Sequence, residues 1–274
     1  MKTNRRTFIG ATAALALGNV TTTAIARNAP GDLRLGVASY SLRKFSRSDA
    51  VEMIKKLEVT CVSIKSFHLP YDLPPNELAS GSQEFRDSGL EVLSGGNINL
   101  TQPAELRKMF EYAKHAGLPM MVCAPSHQTL DEVESLVKEF DIKIAIHNHG
   151  PEDDNFPTPR VALEALNGRD RRMGLCVDVG HTSRAGDDPV EWIRRAGPKL
   201  FDLHIKDLGN LMDAKSECPV GDGAMPVVSI FKTLRAMNYQ GGVMLEYELH
   251  PTAPLPGMIK SVAYMRGVLA GLAG

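Results

Sequence analysis

No internal apolar stretch of this chain is long enough to span a bilayer. An excess of one charge is also missing. The 31 basic and 32 acidic side chains leave a formal charge of -1, so there is no electrostatic basis for binding nucleic acid or an anionic membrane. Cysteine is scarce, and the four present do not make a disulfide framework. Cys61, Cys123 and Cys176 each fall inside an apolar strand-like run, where a thiol acts as a small hydrophobe, and Cys218 lies in a polar stretch. No glycine-rich dinucleotide fingerprint follows the first strand-like segment, and Gly221-Asp222-Gly223 is too short to read as a phosphate loop. There is no low-complexity tract, and no linker divides the chain after its first few dozen residues.

The start of the chain has the character of a targeting segment. Arg5-Arg6-Thr7-Phe8-Ile9 has the register of a twin-arginine export motif, a modest apolar stretch follows, and Ala24-Ile25-Ala26 suggests cleavage after Ala26. The expectation is a signal peptide over residues 1–26, recognition by the twin-arginine export machinery, and a periplasmic or otherwise extracytoplasmic protein. An ordinary secretory signal or a membrane anchor is the competing reading. Residues 1–26 hold three basic and no acidic side chains, so the remaining 248 carry 28 basic and 32 acidic ones, net -4.

From residue 33 onward, apolar runs suited to buried parallel strands alternate with helical periodicity. The runs are Leu33–Ser39, Cys61–Phe67, Leu90–Gly95, Met120–Ala124, Ile142–Ile146, Met173–Asp178, Leu200–Ile205 and Gly242–Tyr247. Between them, sets such as Leu106, Met109, Phe110 and Ala113, or Val227, Ile230, Phe231 and Leu234, share one helix face. Thr158-Pro159 and Asp188-Pro189 each place a capping residue before a first-turn proline, and Met225-Pro226 marks another helix start. Gly89, Gly117 and Gly241 stand where a helix should end. Eight β/α units in about 250 residues predict one α/β domain over 27–274, a closed (β/α)8 TIM barrel rather than a doubly wound sheet.

Four strand-like segments, IAIHNHG, LCVDVGH, FDLHIKD and VMLEYE, end in His147, Asp178, His204 and Glu246. In a (β/α)8 barrel the C-terminal strand ends converge on one mouth, so two imidazoles and two carboxylates are expected around one divalent cation. Each has a bland alternative. Asp178 can cap the next helix, a lone histidine can be a satisfied core residue, and Glu246 can pair with Lys206. Further polar groups sit nearby in sequence: His181 three residues past Asp178, Lys206 two past His204, His149 two past His147, Glu248 two past Glu246, and Lys65 and His68 at the end of the second strand. His250, Asp207 and His127 read as solvated loop residues.

These motifs resemble the xylose isomerase-like barrels, a family that includes sugar isomerases, ketose 3-epimerases, inosose dehydratases and endonuclease IV relatives. The resemblance runs from Leu33 to the end and is sharpest in LCVDVGH, LHIKD and VMLEYE. It implies a sugar isomerase or epimerase holding a divalent metal (manganese, zinc, cobalt or magnesium) and taking a small carbohydrate substrate. It implies metal ligation by Asp178, His204 and Glu246, with His181 on the substrate. The epimerases carry a glutamate at the first ligand position, where this chain has His147, a feature nearer the inosose dehydratases. That exchange removes one of two carboxylates acting on opposite faces of the substrate, and favours β-elimination from a keto-sugar, keto-glycoside or inosose as the alternative. In either case a metal acidifies the C–H beside a carbonyl and an enediolate forms. Glu246, His147, His149 or His181 is the expected base, Lys206 or His181 the oxyanion partner, and His149, Lys65, His68 and Glu248 the substrate contacts. Two other classes stay open: a non-catalytic exported sugar-binding barrel, and an endonuclease-IV-like phosphodiesterase, which needs a basic face that the composition does not offer.

Overall fold

The computed structural model describes residues 33–273; the signal-peptide segment 1–26 lies outside them. Eight parallel strands close into a barrel: β1 (Arg34–Ala38), β2 (Cys61–Ile64), β3 (Glu91–Leu100), β4 (Met120–Pro125), β5 (Lys143–His147), β6 (Met173–Asp178), β7 (Leu200–Ile205) and β10 (Gly242–Leu245). A two-stranded antiparallel ribbon, β8 (Asp207–Leu208) with β9 (Glu217–Cys218), follows β7. The helices are α1 (Arg47–Lys56), α2 (Pro75–Asp87), α3 (Pro103–His115), α4 (Leu130–Phe140), α5 (Pro159–Ala165), α6 (Val179–Arg184), α7 (Pro189–Ala196), α8 (Val227–Ala236) and α9 (Leu255–Ala273). Among the described residues no helix is long and apolar enough to cross a membrane.

Local chemistry accounts for most boundaries. Thr158 Oγ1 accepts from Val161 N at 3.3 Å, and an Asp188 carboxylate oxygen accepts from Val190 N at 2.8 Å, each followed by proline at the first helical position. Gly117 ends α3 in the left-handed region. After α8 that conformation falls on Asn238 instead of Gly241. Gly241 is needed for a different reason: a Cβ there would run into the Tyr239 ring and the Phe201 carbonyl. Strand β3 continues past the expected end at Gly95, because its register with β4 slips between Gly95 and Ile98. The slip sends Asn97 toward the strand-end histidines.

Two apolar layers follow from the period of two along each strand. One alternate set packs outward against the helices in the main core, which includes Val62, Ile144, Ile146, Val177, Leu203 and Leu245. The other set points into the barrel. There Met120, Val122, Ala145 and Cys176 pack together, and Ala38, Cys61 and Met244 form a second small cluster. Ser94 on β3 donates to Asp202 on β7 at 3.2 Å, across the lumen. Cys61, Cys123 and Cys176 are buried free thiols.

Asp207, read from sequence as a solvated loop residue, is 1% exposed. Its carboxylate accepts the backbone N–H groups of Leu208, Gly221 and Met225 at 2.9 Å and of Gly223 at 3.2 Å. The Gly221-Asp222-Gly223 turn therefore wraps a carboxylate of its own chain, and a Cβ on Gly223 would strike that carboxylate. Hydrogen bonds to a charged group contribute roughly 1.5–3 kcal/mol each, less what water regains when they are lost. Asp207→Ala is expected to lower unfolding free energy by about 3 kcal/mol in urea titration, and Asp207→Asn by about half as much. A loss below about 1 kcal/mol for the alanine variant would show that this turn is held by other contacts.

Candidate metal centre and active site

Register brings the four strand-end residues together. Asp178 and His204 are direct partners between β6 and β7; His147 pairs with Cys176, two residues before Asp178; and Met244, two residues before Glu246, pairs with His204. All four side chains thus project inward at one end of the barrel. His147 Nε2 lies 3.0 Å from His204 Nδ1 and 3.6 Å from Asp178 Oδ2, and His204 Nδ1 lies 3.3 Å from Glu246 Oε2. One donor atom from each residue falls within 4.8 Å of every other. Ligands about 2.1 Å from a common ion stand roughly 3.0–3.4 Å apart, so the spacing fits a small divalent cation.

Charge and hydrogen bonding point the same way. Lys206 Nζ lies 3.2 Å from Asp178 Oδ2, 2.9 Å from Glu246 Oε2 and 2.8 Å from Glu248 Oε1. Three carboxylates thus share one ammonium. Asp178 Oδ2, although close to Lys206, is buried without an aligned hydrogen bond, and the second ring nitrogens His147 Nδ1 and His204 Nε2, which are not the ones that meet in the cluster, are buried without a partner. The bland readings of the sequence are present too. Asp178 caps α6 with its other oxygen, which accepts His181 N at 2.8 Å, and Glu246 does pair with Lys206. Neither role uses up the inward-facing donor set.

The local field sorts the protonation states. Burial takes the His147 imidazole down to about 3, so it is neutral. Burial opposes charge on Asp178 and Glu246, but Lys206 and the neighbouring histidines together outweigh it, and both carboxyls stay well below their ordinary range. His204 is disfavoured as imidazolium by burial, yet Glu246 beside it holds its pKa above the usual value. On Lys206 the neighbouring carboxylates override burial and keep the ammonium charged.

The other expected contacts divide. The His149 ring lies 4.5 Å from that of His147 and 5.8 Å from that of His181. Its Nδ1 is 3.1 Å from Asp153 Oδ2, though not aligned as a hydrogen bond, and its Nε2 is 2.5 Å from Asn97 Nδ2. His181 Nδ1 accepts from Arg184 Nη1 at 3.1 Å, and Arg184 pairs with Glu152. Lys65 Nζ donates to the Asn97 carbonyl at 2.8 Å. His68 does not join this cluster. It is 1% exposed, with its ring nitrogens 3.0 Å from Ser39 Oγ and 3.2 Å from the Leu42 carbonyl, so it braces the turn after β1. Asn148, Asp153 and Glu217 carried no sequence signal. Asn148 ties β5 to β6 and α6: its Oδ1 accepts Asp178 N at 2.9 Å while its amide donates to Thr182 Oγ1 at 3.1 Å.

The model of the xylose isomerase-like TIM barrel family matches residues 30–268. The chain belongs to that family. Among curated relatives, an inosose dehydratase of Clostridium botulinum (strain Eklund 17B / Type B) is 24% identical over 155 residues, covering 50% of this chain and 51% of its own. The chain spans about half the length of the curated relatives it matches. Among solved structures, the IolI protein with a binding zinc atom superposes with a TM-score of 0.73 at 18% identity, covering 87% of this chain and 99% of its own. The 3-keto-D-glucoside 4-epimerase YcjR of E. coli gives 0.69 at 14%, covering 86% and 100%. At these identities the likeness is one of fold.

Within this xylose isomerase-like barrel one carboxyl at the mouth differs from the rest. Glu217, on ribbon strand β9, accepts Glu248 N at 2.8 Å, and burial pushes it from 4.5 up to about 7. A carboxyl raised on folding stays protonated in the native state while the unfolded chain ionises, so its contribution falls as pH climbs from about 4.5 to about 7. Glu217→Gln, which cannot ionise, is therefore expected to gain stability relative to wild type across that interval, by up to roughly 3 kcal/mol at about 1.4 kcal/mol per pH unit. Denaturant titrations of both proteins at pH 5 and pH 8 measure it; a stability difference that does not change with pH would place the Glu217 titration elsewhere.

Proposed function

We propose that this protein is a metal-dependent carbohydrate enzyme that abstracts a proton from carbon beside a carbonyl, as sugar isomerases, epimerases and dehydratases do. The observation that carries the reading is the inward cluster of His147, Asp178, His204 and Glu246, with its donor spacing and its shortage of positive charge. These four residues would hold the ion. Bound there, a divalent cation polarises a carbonyl or hydroxyl oxygen and acidifies the neighbouring C–H.

The chain's own groups suggest who moves the proton. Glu246 is a weak base, since Lys206 and His204 stabilise its charge. His149 is better placed. Burial and the nearby His181 favour its neutral form, and the Asn97 amide nitrogen, which can only donate, marks Nε2 as the nitrogen that carries the lone pair. Substrate entering the site displaces the Asn97 amide from that nitrogen. Lys206, held by Asp178, Glu246 and Glu248, keeps a positive charge beside the reacting carbons, and the His181 ring, steadied by Arg184, lies 5.9 Å from that of His147. Epimerisation needs an acid and a base on opposite faces of the carbon. With His147 in the first ligand position the second carboxylate is gone, which favours β-elimination from a keto-sugar over inversion. The relatedness to an inosose dehydratase supports that preference.

The test is to incubate metal-loaded protein with 3-keto-glucosides, inososes and simple ketoses in deuterated water and follow deuterium uptake at carbon together with release of water or aglycone. Asp178→Ala, His204→Ala and Glu246→Ala are each expected to weaken divalent-metal binding at least 100-fold in calorimetry. His149→Ala is expected to keep the metal and lose exchange by 10²–10⁴-fold, the typical contribution of a general base. Full metal content in His147→Ala would remove that residue from the ligand set. A wild-type protein that binds no stoichiometric metal would leave a sugar-binding barrel without chemistry.

A further inference from the structure

Phe67 is 54% exposed on the segment that follows β2, at the end of the barrel that carries the metal-type cluster. Val228, Ile259 and Tyr264 are exposed too, but they lie on the outer helices α8 and α9, where single apolar side chains are ordinary. Phe67 has an aromatic partner. Its ring centroid is 6.0 Å from that of Tyr40, on the turn after β1, with the planes 55° apart. Cations border this pair. The Arg43 guanidinium lies 4.5 Å from the Tyr40 centroid and Lys65 Nζ lies 5.7 Å from it.

The same cations fasten the pair to the reaction site. Arg43 Nη2 donates to the Glu248 carbonyl at 2.9 Å, and Lys65 reaches Asn97, whose amide meets His149. In this chain of contacts Lys65 and Asn97 stand between the aromatic pair and the histidines. A ring lying on Tyr40 and Phe67 is therefore a neighbour of the reacting sugar, not that sugar itself. Aromatic faces pack against flat apolar surfaces, including the C–H face of a pyranose, and Lys65 and Arg43 supply donors for hydroxyls at its edge.

We propose that Tyr40 and Phe67 form an outer subsite for the ring-bearing aglycone of a glycoside, so that the substrate class is glycosides in preference to free monosaccharides. The proposal rests on the reading that the reacting sugar sits at the His147–Asp178–His204–Glu246 cluster. Calorimetry on the metal-loaded protein with 3-keto-glucose and with phenyl 3-keto-β-glucoside tests it. The phenyl glycoside is expected to bind at least ten-fold more tightly. Phe67→Ala is expected to remove most of that preference while leaving affinity for the free sugar unchanged, and Tyr40→Phe, which keeps the ring, to preserve it. An unchanged preference in Phe67→Ala overturns the subsite. Saturation-transfer NMR with cellobiose separates this from the function itself. Transfer to one glucose ring that depends on Phe67, in a protein that binds neither keto-sugar, keeps the subsite and discards the reacting sugar; no Phe67-dependent transfer from either glycoside discards the subsite. A Phe67→Ala variant with half the wild-type solution mass by light scattering also overturns it, since the ring then covers a subunit contact.

Discussion

The site depends on a shortage of positive charge in a buried place. Asp178, Glu246 and Glu248 converge on one ammonium, Lys206, and their remaining buried neighbours are imidazoles. Ionised carboxylates removed from water are costly unless paired or bound to metal. Lys206 answers part of that cost, and its own raised pKa is the reciprocal statement of the same attraction. His204, whose pKa Glu246 raises, answers more of it, and the carboxylates still outnumber the fixed cations. The neutrality of His147 fits this balance. An imidazole taken down to about 3 keeps one ring-nitrogen lone pair available, whereas an imidazolium would repel a cation and compete with Lys206 for the same oxygens.

Delivery of these groups is a matter of period and register. An inward position on a strand recurs every second residue, so His147, Asp178, His204 and Glu246 had to fall in phase with Ala145, Cys176, Asp202 and Met244 beneath them. That is why the cluster was legible in the sequence: each member closes an apolar run whose outward residues pack on helices. The eight strands and the proline-capped helix starts were legible for the same reason, being set by local period and local capping. Long-range geometry was not. The register slip in β3 that turns Asn97 toward His149 has no counterpart in composition. Asp153 and Glu217 arrive on loops and ribbon with no periodicity to mark them. His68 and Asp207 misled in opposite directions, one a histidine beside the site that serves as a brace, the other an aspartate in a polar stretch that organises a buried turn. Both are decided by partners far away in sequence.

On the proposed reading, His147 leaves the site with one base rather than two. In the arrangement found here, His149 has a carboxylate behind it at Asp153, while Glu246 is tied to Lys206 and His204. Two groups of such different character cannot exchange roles between the faces of a carbon as a symmetric carboxylate pair does. On that reading they would suit a reaction in which one proton leaves carbon and a different group departs.

The depth of the barrel explains why this chemistry faces only one way. Below the metal-type cluster lies Asp202, two residues before His204, where burial pushes the carboxyl up to about 6. Ser94 and the Leu203 N–H are its hydrogen-bond donors. Cys176, its register partner, lies at the same level and packs with Met120, Val122 and Ala145, none of which carries a charge. Polarity therefore falls from the mouth inward: half-exposed carboxylates, then a paired cluster, then a layer of hydrocarbon and thiol that holds one carboxyl drawn toward its neutral form. Each step down removes water and raises the cost of an unpaired charge. The interior is a packed core and not a pore.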